Sequence, residues 1–246
     1  MIFFTQRPEF FKYLVGYYKF DGNVRDSANA ASDLNAIPNP AYSAGKLGLG
    51  FDFNSTNMSG QALRNNGTKY TFTNGTNDLP FCFSFWMIYR GGSTDFRCIF
   101  GRNAIGSSIA SPNSEYQLLI TTGHKLSLSK YSMGMLANNA TITTVESVPL
   151  DTLIHVVLTD DALGNTLIYF NGIQKATVGA SMGSGFARFT TGAEARQGFG
   201  NSLGVPTPSS RVFYGLLDDF AIFKNYILKP DDIAWIYNSG NGKELK

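Results

Sequence analysis

The sequence predicts an all-β protein in which two antiparallel sheets pack face to face, with one short helix near the C-terminus. Short runs of β-branched and aromatic residues alternate along the chain with turns rich in Gly, Asn, Ser and Pro, which is typical of a β-sandwich. The 20 Phe, 12 Tyr and 2 Trp residues supply the apolar surface that a core between two sheets requires.

The runs predicted as strands have the length of a strand, and each ends at a cluster of turn-forming residues. In chain order they cover residues 14–20, 49–54, 69–73, 81–89, 97–101, 116–121, 125–130, 141–145, 153–159, 166–170, 174–178 and 214–223.

Two of these strands carry a further prediction. Residues 125–130 alternate, which places Leu126 and Leu128 on one face and serines on the other. Residues 81–87 are apolar at nearly every position, which indicates a central strand that is covered on both faces.

The predicted helix covers residues 230–238. Pro230 suits the first turn of a helix, and Asp231 and Asp232 favour its positive N-terminal end. The apolar residues that follow fall on one helical face: Ile233, Ile236 and Tyr237.

Composition bounds the number of domains and the class of partner. Charged residues make up 15% of the 246 residues, and the formal net charge is +2. Lysine and arginine are scattered, so we expect no nucleic-acid partner, and no apolar run approaches roughly 18 residues, so we expect no membrane span. No linker divides the chain, which predicts one domain over residues 14–246 and an N-terminal arm over residues 1–13.

The arm is apolar without resembling a secretory signal, because Arg7, Pro8 and Glu9 interrupt it. Its four phenylalanine rings would form an apolar patch that soluble proteins avoid leaving in water. We therefore expect the arm to be buried, against a partner subunit in preference to its own domain, and to support a homo-oligomer or a large assembly. We expect the protein at an extracellular or virion surface. The four residues are Phe3, Phe4, Phe10 and Phe11.

Cys82 and Cys98 are the two cysteines of the chain, and both lie in apolar, strand-like runs. Two buried free thiols are the favoured interpretation, and a disulfide between neighbouring strands is the alternative.

Four segments resemble, in order, those of the laminin-G-like, concanavalin A-like lectin family. They are residues 17–23 with an acidic turn at Asp26, residues 44–53 with their glycines, the strands over 153–170 followed by Asn171-Gly172, and the last strand and helix over 215–238. The resemblance implies a two-sheet antiparallel jelly roll in which the first and last strands pair and the helix packs outside. That family includes sugar-binding modules, adhesion domains and virion proteins.

The resemblance also implies a structural Ca²⁺ ion held by Asp26 and Asp218, with Asp21 and Asn29 nearby in the sequence. Carboxylate oxygens are hard ligands that suit this ion. The alternative is that Asp26 forms an Asx turn while Asp218 accepts backbone hydrogen bonds that clamp the terminal strands.

No catalytic set is recognisable, so we expect a protein that is not an enzyme. Retaining glycosidases need two carboxylates close together, and adjacent strand residues such as Asp218 and Asp219 are expected on opposite faces. His124 and His155 lie in strand-like segments without a nucleophile motif. The glutamates do not form the Glu-x-Asp-x-x-Glu pattern of the family's hydrolases: Glu9, Glu115, Glu146, Glu194 and Glu244.

Residues 105–114 and 181–210 are predicted as long loops, where a rigid sandwich carries its binding residues. The candidates for ligand binding are Tyr131, Phe186, Arg188 and Phe199, although the aromatic ones suit the core equally. Two functions follow. The first is a non-catalytic lectin-like binding or adhesion module that recognises a glycan or a protein partner. The second is a structural virion component, such as a capsid decoration, head-fibre or tail-associated protein.

Overall fold

The structure is a computed structural model that describes residues 8–28, 33–34, 40–53, 63–66, 69–74, 77–92, 95–104, 114–131, 140–179, 195–200 and 211–245. In these ranges the strands are β1 (Leu14–Tyr18), β2 (Tyr42–Ala44), β3 (Leu49–Phe53), β4 (Leu63–Asn66), β5 (Phe81–Tyr89), β6 (Arg97–Ala104), β7 (Ser114–Ile120), β8 (Leu126–Lys130), β9 (Ala140–Thr144), β10 (Leu153–Asp160), β11 (Thr166–Phe170), β12 (Ile173–Gln174), β13 (Thr177–Gly179), β14 (Ala195–Phe199) and β15 (Gly215–Lys224). The helix α1 covers Pro230–Tyr237, and short 3-10 turns cover Glu9–Tyr13 and Asn238–Gly240.

The strands form two sheets. The first sheet has the order β12-β11-β10-β5-β15-β3-β2, with β1 also paired to β15, and the second has the order β13-β9-β8-β7-β6-β14-β4. Neighbouring strands in both sheets run antiparallel. The predicted two-sheet jelly-roll sandwich, with its first and last strands paired, is therefore confirmed.

The core between the sheets is built from alternate residues of each strand, as the pleat requires. Leu126 and Leu128 of β8 lie in this core, as predicted. The opposite face of β8 carries Ser127 and Ser129, whose hydroxyls lie 3.0 Å from those of Thr143 and Thr141 on β9. Hydroxyl pairs across the strands thus satisfy the polar face.

Strand β5 is central, as its apolar run predicted, because it pairs with β10 on one side and β15 on the other. Its side chains alternate between the core that separates the sheets, exemplified by Phe83 and Phe85, and the outer face of the first sheet, exemplified by Cys82. Helix α1 contributes Ile233 and Ile236 to the cluster on that outer face. The outer cover explains why this strand lacks a polar face.

The helix begins and ends as the sequence predicted, to within one residue. Pro230 is its first residue, and Asn238 is the C-cap in the left-handed region, with φ of 50°. The side chain of Asp232 accepts hydrogen bonds from the backbone N–H of Lys229 and the hydroxyl of Tyr226, both at 2.9 Å. These bonds fix the start of the helix against the loop that follows β15.

The predicted strand 174–178 is instead two short strands in different sheets, β12 and β13, and the predicted strand 69–73 does not form. The backbone N–H of Tyr70 donates to the side chain of Gln197 at 3.2 Å, and that of Phe72 donates to Glu115 at 3.0 Å. Side chains therefore accept the hydrogen bonds that the backbone carbonyls of a neighbouring strand would otherwise accept. Both aromatic rings still enter the core, which explains the strand-like pattern.

Two charged pairs lie buried inside the sandwich. Lys130 of the second sheet donates to Asp160 of the first sheet at 2.7 Å, and Arg102 donates to Glu115. Asp160 also accepts a hydrogen bond from Thr166 at 2.6 Å. A buried charge is tolerated only with such partners, so these pairs fix how the strands meet.

The position of Phe10 differs from the expectation that the arm is buried against a partner subunit. Phe10 is fully buried in the cluster on the outer face of the first sheet, and its ring centroid lies 5.8 Å from that of Phe223 and 5.6 Å from that of Trp235. This part of the arm therefore packs on its own domain, because α1 leaves an apolar surface beside β15 for it to cover. Phe3 and Phe4 lie outside the described residues.

Both cysteines are buried free thiols, as favoured from the sequence. Cys82 accepts a hydrogen bond from the N–H of Leu228 at 3.2 Å and so anchors the loop before α1. Burial raises the pKa of Cys98 to about 12, which keeps this thiol protonated. Within the described residues, no helix is both long and apolar enough to cross a membrane.

We predict that Phe10→Ala lowers the free energy of unfolding by about 3 kcal/mol, because it leaves a cavity under α1. Chemical denaturation of the monomer measures this change. Glu9→Gln, at an exposed neighbour, is the control and should change stability by less than about 0.5 kcal/mol. An unchanged monomer with weakened self-association would show that Phe10 covers a partner instead.

Candidate functional site

The predicted metal ligand Asp218 lies at a gap beside β15. Strand β1 pairs with residues 220–223 of β15, and β3 pairs with Gly215, Leu216 and Leu217 on the same edge. Neither strand pairs with Asp218 or Asp219. The pairing of β15 with β5 also shifts register between Asp218 and Ala221, and Asp219 has a φ of 47°, so the gap coincides with a β-bulge.

The two aspartates attach both neighbouring strands to β15. Asp218 accepts hydrogen bonds from the backbone N–H groups of Lys46 and Leu47, at 2.5 and 3.3 Å, in the turn between β2 and β3. Asp219 accepts a hydrogen bond from the hydroxyl of Tyr17 in β1. These bonds replace the ladder that is missing at the gap.

The expectation that Asp218 and Asp219 point to opposite faces is wrong. Leu217 faces the core between the sheets, so Asp218 faces outward, and Tyr17, the partner of Asp219, belongs to the cluster on the outer face. The bulge interrupts the alternation of side chains, which places both carboxylates on the outer side.

Both carboxylates are desolvated, since Asp218 is 1% and Asp219 7% exposed. One oxygen of each, Oδ1 of Asp218 and Oδ2 of Asp219, is buried without a hydrogen-bond partner. Burial raises the pKa of Asp218 to about 6. Burial is the larger cause, and repulsion from Asp218 the next, of a pKa of Asp219 raised to about 7.

Asp26 forms the predicted alternative, an Asx turn. Its Oδ1 accepts hydrogen bonds from the N–H groups of Ala28 and Tyr17, both at 2.9 Å. Its Oδ2 accepts from the ammonium of Lys69 at 2.8 Å and the hydroxyl of Tyr70 at 2.9 Å. The carboxylate therefore has donors on both oxygens.

The two predicted calcium ligands differ in how well they fit an ion. Asp218 has a buried oxygen without a partner, which suits a hard cation, whereas a cation at Asp26 would have to displace Lys69. Across the described ranges, no three or more His, Cys, Asp or Glu side chains gather as metal ligands. Asn29 lies outside those ranges. Calcium binding stays a prediction.

The predicted ligand-binding residues differ in where the structure places them. Tyr131 follows β8, is half-buried, and its hydroxyl donates to Gln117 at 3.3 Å. Phe199 ends β14 inside the predicted loop 181–210 and is fully buried, with its ring centroid 4.7 Å from those of Phe100 and Phe220. Phe199 is thus a core residue, as its alternative interpretation allowed. Phe186 and Arg188 lie outside the described residues.

A different surface combines arginine and aromatic side chains at the end of the sandwich where β5 ends and β6 begins. We call it the arginine rim; it consists of Arg90, Phe96, Arg97, Arg211 and Tyr214. The buried guanidinium of Arg97 donates to the carbonyl of Gly92 at 2.8 and 2.5 Å and to that of Val212 at 2.8 Å. These bonds tie the loop between β5 and β6 to the segment that enters β15.

Phe96 is 38% exposed, and within the described part of the chain it is the one aromatic residue that is exposed. The guanidinium of Arg211 lies 5.6 Å from the centroid of its ring and donates to Asp95 at 3.2 Å. The one feature of the sequence that distinguished Phe96 from the many buried rings was its position between two charged residues, Asp95 and Arg97.

The second ring of the rim, Tyr214, is half-buried beside another arginine. The guanidinium of Arg90 lies 5.9 Å from the centroid of the Tyr214 ring. Arg90 also donates to both oxygens of Asp52, at 2.6 and 3.1 Å, a two-point contact that fixes its plane. The rim therefore presents held guanidinium groups beside aromatic rings.

The two histidines are structural. His155 is buried with its Nε2 2.9 Å from the hydroxyl of Ser84; its ring stacks with that of Tyr237 and lies tilted against that of Trp86, with centroids 5.0 Å apart. Burial lowers its pKa to about 3, so its ring is neutral at ordinary pH. His124 lies in the turn before β8, where its Nδ1 is 3.0 Å from the hydroxyl of Tyr89.

Comparison with known proteins identifies similar folds. Residues 64–234 match the model of the family described as the concanavalin A-like lectin/glucanases superfamily. No curated protein sequence matches the chain. Domain 4 of the extracellular GH43 arabinanase of Geobacillus stearothermophilus, solved with arabinotriose, is similar with a TM-score of 0.55 and 18% identity, over 94% of this chain and 98% of that chain.

The binding domain of botulinum neurotoxin DC is also similar, in two solved complexes. The complex with SialylT has a TM-score of 0.65 and 16% identity, over 94% of this chain and 52% of that one. The complex with rat synaptotagmin II has a TM-score of 0.62 and 14% identity, with the same coverage of 94% and 52%. The chain thus spans about half the length of these two structures, and identities this low show the fold alone.

We predict that, if Ca²⁺ binds, it raises the melting temperature and Asp218→Asn removes the increment, because this change weakens the ligand with the unpartnered oxygen. Thermal unfolding with added CaCl₂ or EDTA measures the effect. Asp161→Asn, at a carboxylate remote from β15, is the control. A melting temperature indifferent to both additions would leave only the hydrogen-bonding role of Asp218.

We predict that His155 makes the protein less stable in acid. Its folded pKa lies below the unfolded value of 6.5, so its stabilising contribution is complete above pH 6.5 and is lost as the pH falls toward 3. Between pH 7 and pH 5 the loss from this residue should be about 2 kcal/mol. The difference in unfolding free energy between wild type and His155→Gln, measured at several pH values, isolates it. An equal pH slope for both proteins would contradict the assignment.

Proposed function

This chain belongs to the concanavalin A-like lectin/glucanases superfamily, and from that premise we propose that it is a non-catalytic, lectin-like binding module that recognises a glycan or a protein partner at a surface. The observation that carries the proposal is the arginine rim, where Phe96 is exposed beside the guanidinium of Arg211. Exposed rings flanked by fixed polar groups are a common arrangement in binding sites.

The position of the rim supports binding. It is built from the ends of β5 and β6 and from the segment that enters β15, so rigid strands hold its loops. Binding residues on rigid scaffolds are concentrated in such loops. The similar folds that were solved with arabinotriose, SialylT and synaptotagmin II support a glycan or a protein as the kind of partner.

The positions of the carboxylates support the absence of catalysis. Asp218 and Asp219 are the adjacent pair, but both are buried and bonded to neighbouring strands. Glu115 and Asp160 are buried in ion pairs. A glycosidase needs two carboxylates that face a substrate, and these four groups instead hold the protein together.

The alternative of a virion component has lost one argument. That argument was an arm buried against a partner subunit, whereas Phe10, in the described part of the arm, packs on its own domain. A place at an extracellular or virion surface remains compatible with a binding module. The binding module is therefore the function that we favour.

We predict saturable binding to at least one member of a panel of immobilised neutral and acidic glycans or extracellular protein domains, without cleavage of the ligand. Surface plasmon resonance measures the binding, and mass spectrometry of the recovered glycans checks that they are intact. Heat-unfolded protein is the control for non-specific adsorption. Release of sugar fragments that stops on substitution of one Asp or Glu would make the protein an enzyme.

A further inference from the structure

We propose that the arginine rim is a subsite for an anionic sugar, in which the ring of Phe96 stacks on the sugar and the guanidinium of Arg211 recognises its acidic group, while Arg90 adds a second guanidinium to the rim beside Tyr214. The inference rests on the proposed binding function and deepens it, since it names the surface and the class of ligand. The acidic group is a carboxylate or a sulfate, which share the negative charge and the acceptor oxygens that guanidinium groups bind.

The exposure of Phe96 is the first argument. Phenylalanine has no polar atom to compensate for contact with water, and the other rings of the described chain are buried or half-buried. Arg211 lies over the ring and is itself held by Asp95, so the ring and the cation form one fixed unit. A sugar presents an apolar face to such a ring and acceptor oxygens to such a cation.

The charge of the rim is the second argument. Arg90 and Arg211 bring two partly exposed guanidinium groups to the rim, and Asp52 and Asp95 hold them in place. A guanidinium has about five N–H donors, and the two-point contact with Asp52 occupies only part of those of Arg90. Partly exposed guanidinium N–H groups favour an anionic ligand, whose oxygens accept hydrogen bonds, over a cationic one.

The third argument is that the rim is held in place before any ligand arrives. Arg97 is 3% exposed and joins the carbonyls of Gly92 and Val212, so it is a positioning residue. Gly92 has a φ of 77°, and a Cβ atom there would lie 3.7 Å from both Arg97 and Tyr214. A side chain at position 92 would thus fill the space between Arg97 and Tyr214. Groups held in advance lose little entropy on binding.

The test measures affinity for five defined probes with the full chain. Oligogalacturonate and sialyllactose carry carboxylates, dextran sulfate carries sulfates, and lactose and dextran are the neutral counterparts. The variants are Phe96→Ala and Arg211→Gln. The matched controls are Leu163→Ala, an 82% exposed apolar residue at the other end of the sandwich, and Arg25→Gln, an exposed arginine. Thermal melts verify that each variant is folded.

We expect at least one anionic probe to bind more tightly than its neutral counterpart and to bind more weakly as salt is added. Phe96→Ala and Arg211→Gln should each weaken that binding by about tenfold or more, and the controls by less than about twofold. A preference for the carboxylated or for the sulfated probes identifies the source of the charge, and either preference supports the proposal.

Three outcomes overturn the proposal. Anionic binding that both variants leave unchanged would place the subsite elsewhere, and equal affinity for the neutral probes would refute the ligand class; the binding function survives in either case. Binding to none of the five probes would also refute the anionic subsite. The binding function itself falls only if the wider panel of glycans and protein domains gives no saturable binding.

Discussion

The architecture depends on one edge of the last strand. Strand β15 must accept both β1 and β3 along the same edge, and the two strands leave a gap at Asp218 and Asp219. Asp218 bonds to the turn that starts β3, and Asp219 bonds to Tyr17 of β1. Residues far apart in the chain are thereby fixed to one strand. Because β15 follows directly from Tyr214, the same register also sets the position of the arginine rim.

Burial of the two carboxylates at this connection both costs stability and raises the pKa values of the aspartates. A carboxylate oxygen that is buried without a donor is desolvated without compensation, and two such groups at adjacent positions repel each other. The apolar clusters on both faces of the first sheet offset that cost. Buried polar contacts add specificity where a sliding strand would otherwise find several registers.

Much of the fold follows from local patterns. Alternation identified the inward leucines of β8, the apolar run identified β5 as central, and Pro230 marked the start of α1. The bulge at Asp219 was missed because it depends on the register of partner strands, which no local pattern encodes. The burial of Phe10 in its own domain and the exposure of Phe96 were not predicted for a similar reason. Burial of a single ring is decided by residues distant in the sequence, here Phe223 and Trp235 for Phe10.

Carbon-13 NMR titration of the aspartate carboxyl groups tests the account of β15 most directly, with Asp218→Asn and Asp219→Asn used to assign the two resonances. If both carboxyl groups are buried together at the gap, the pair titrates with apparent pKa values of about 6 and about 7. Removal of either carboxyl group should lower the pKa of the other, because the repulsion is gone. Two independent titrations near 4, the value of a solvated aspartate, would contradict the account.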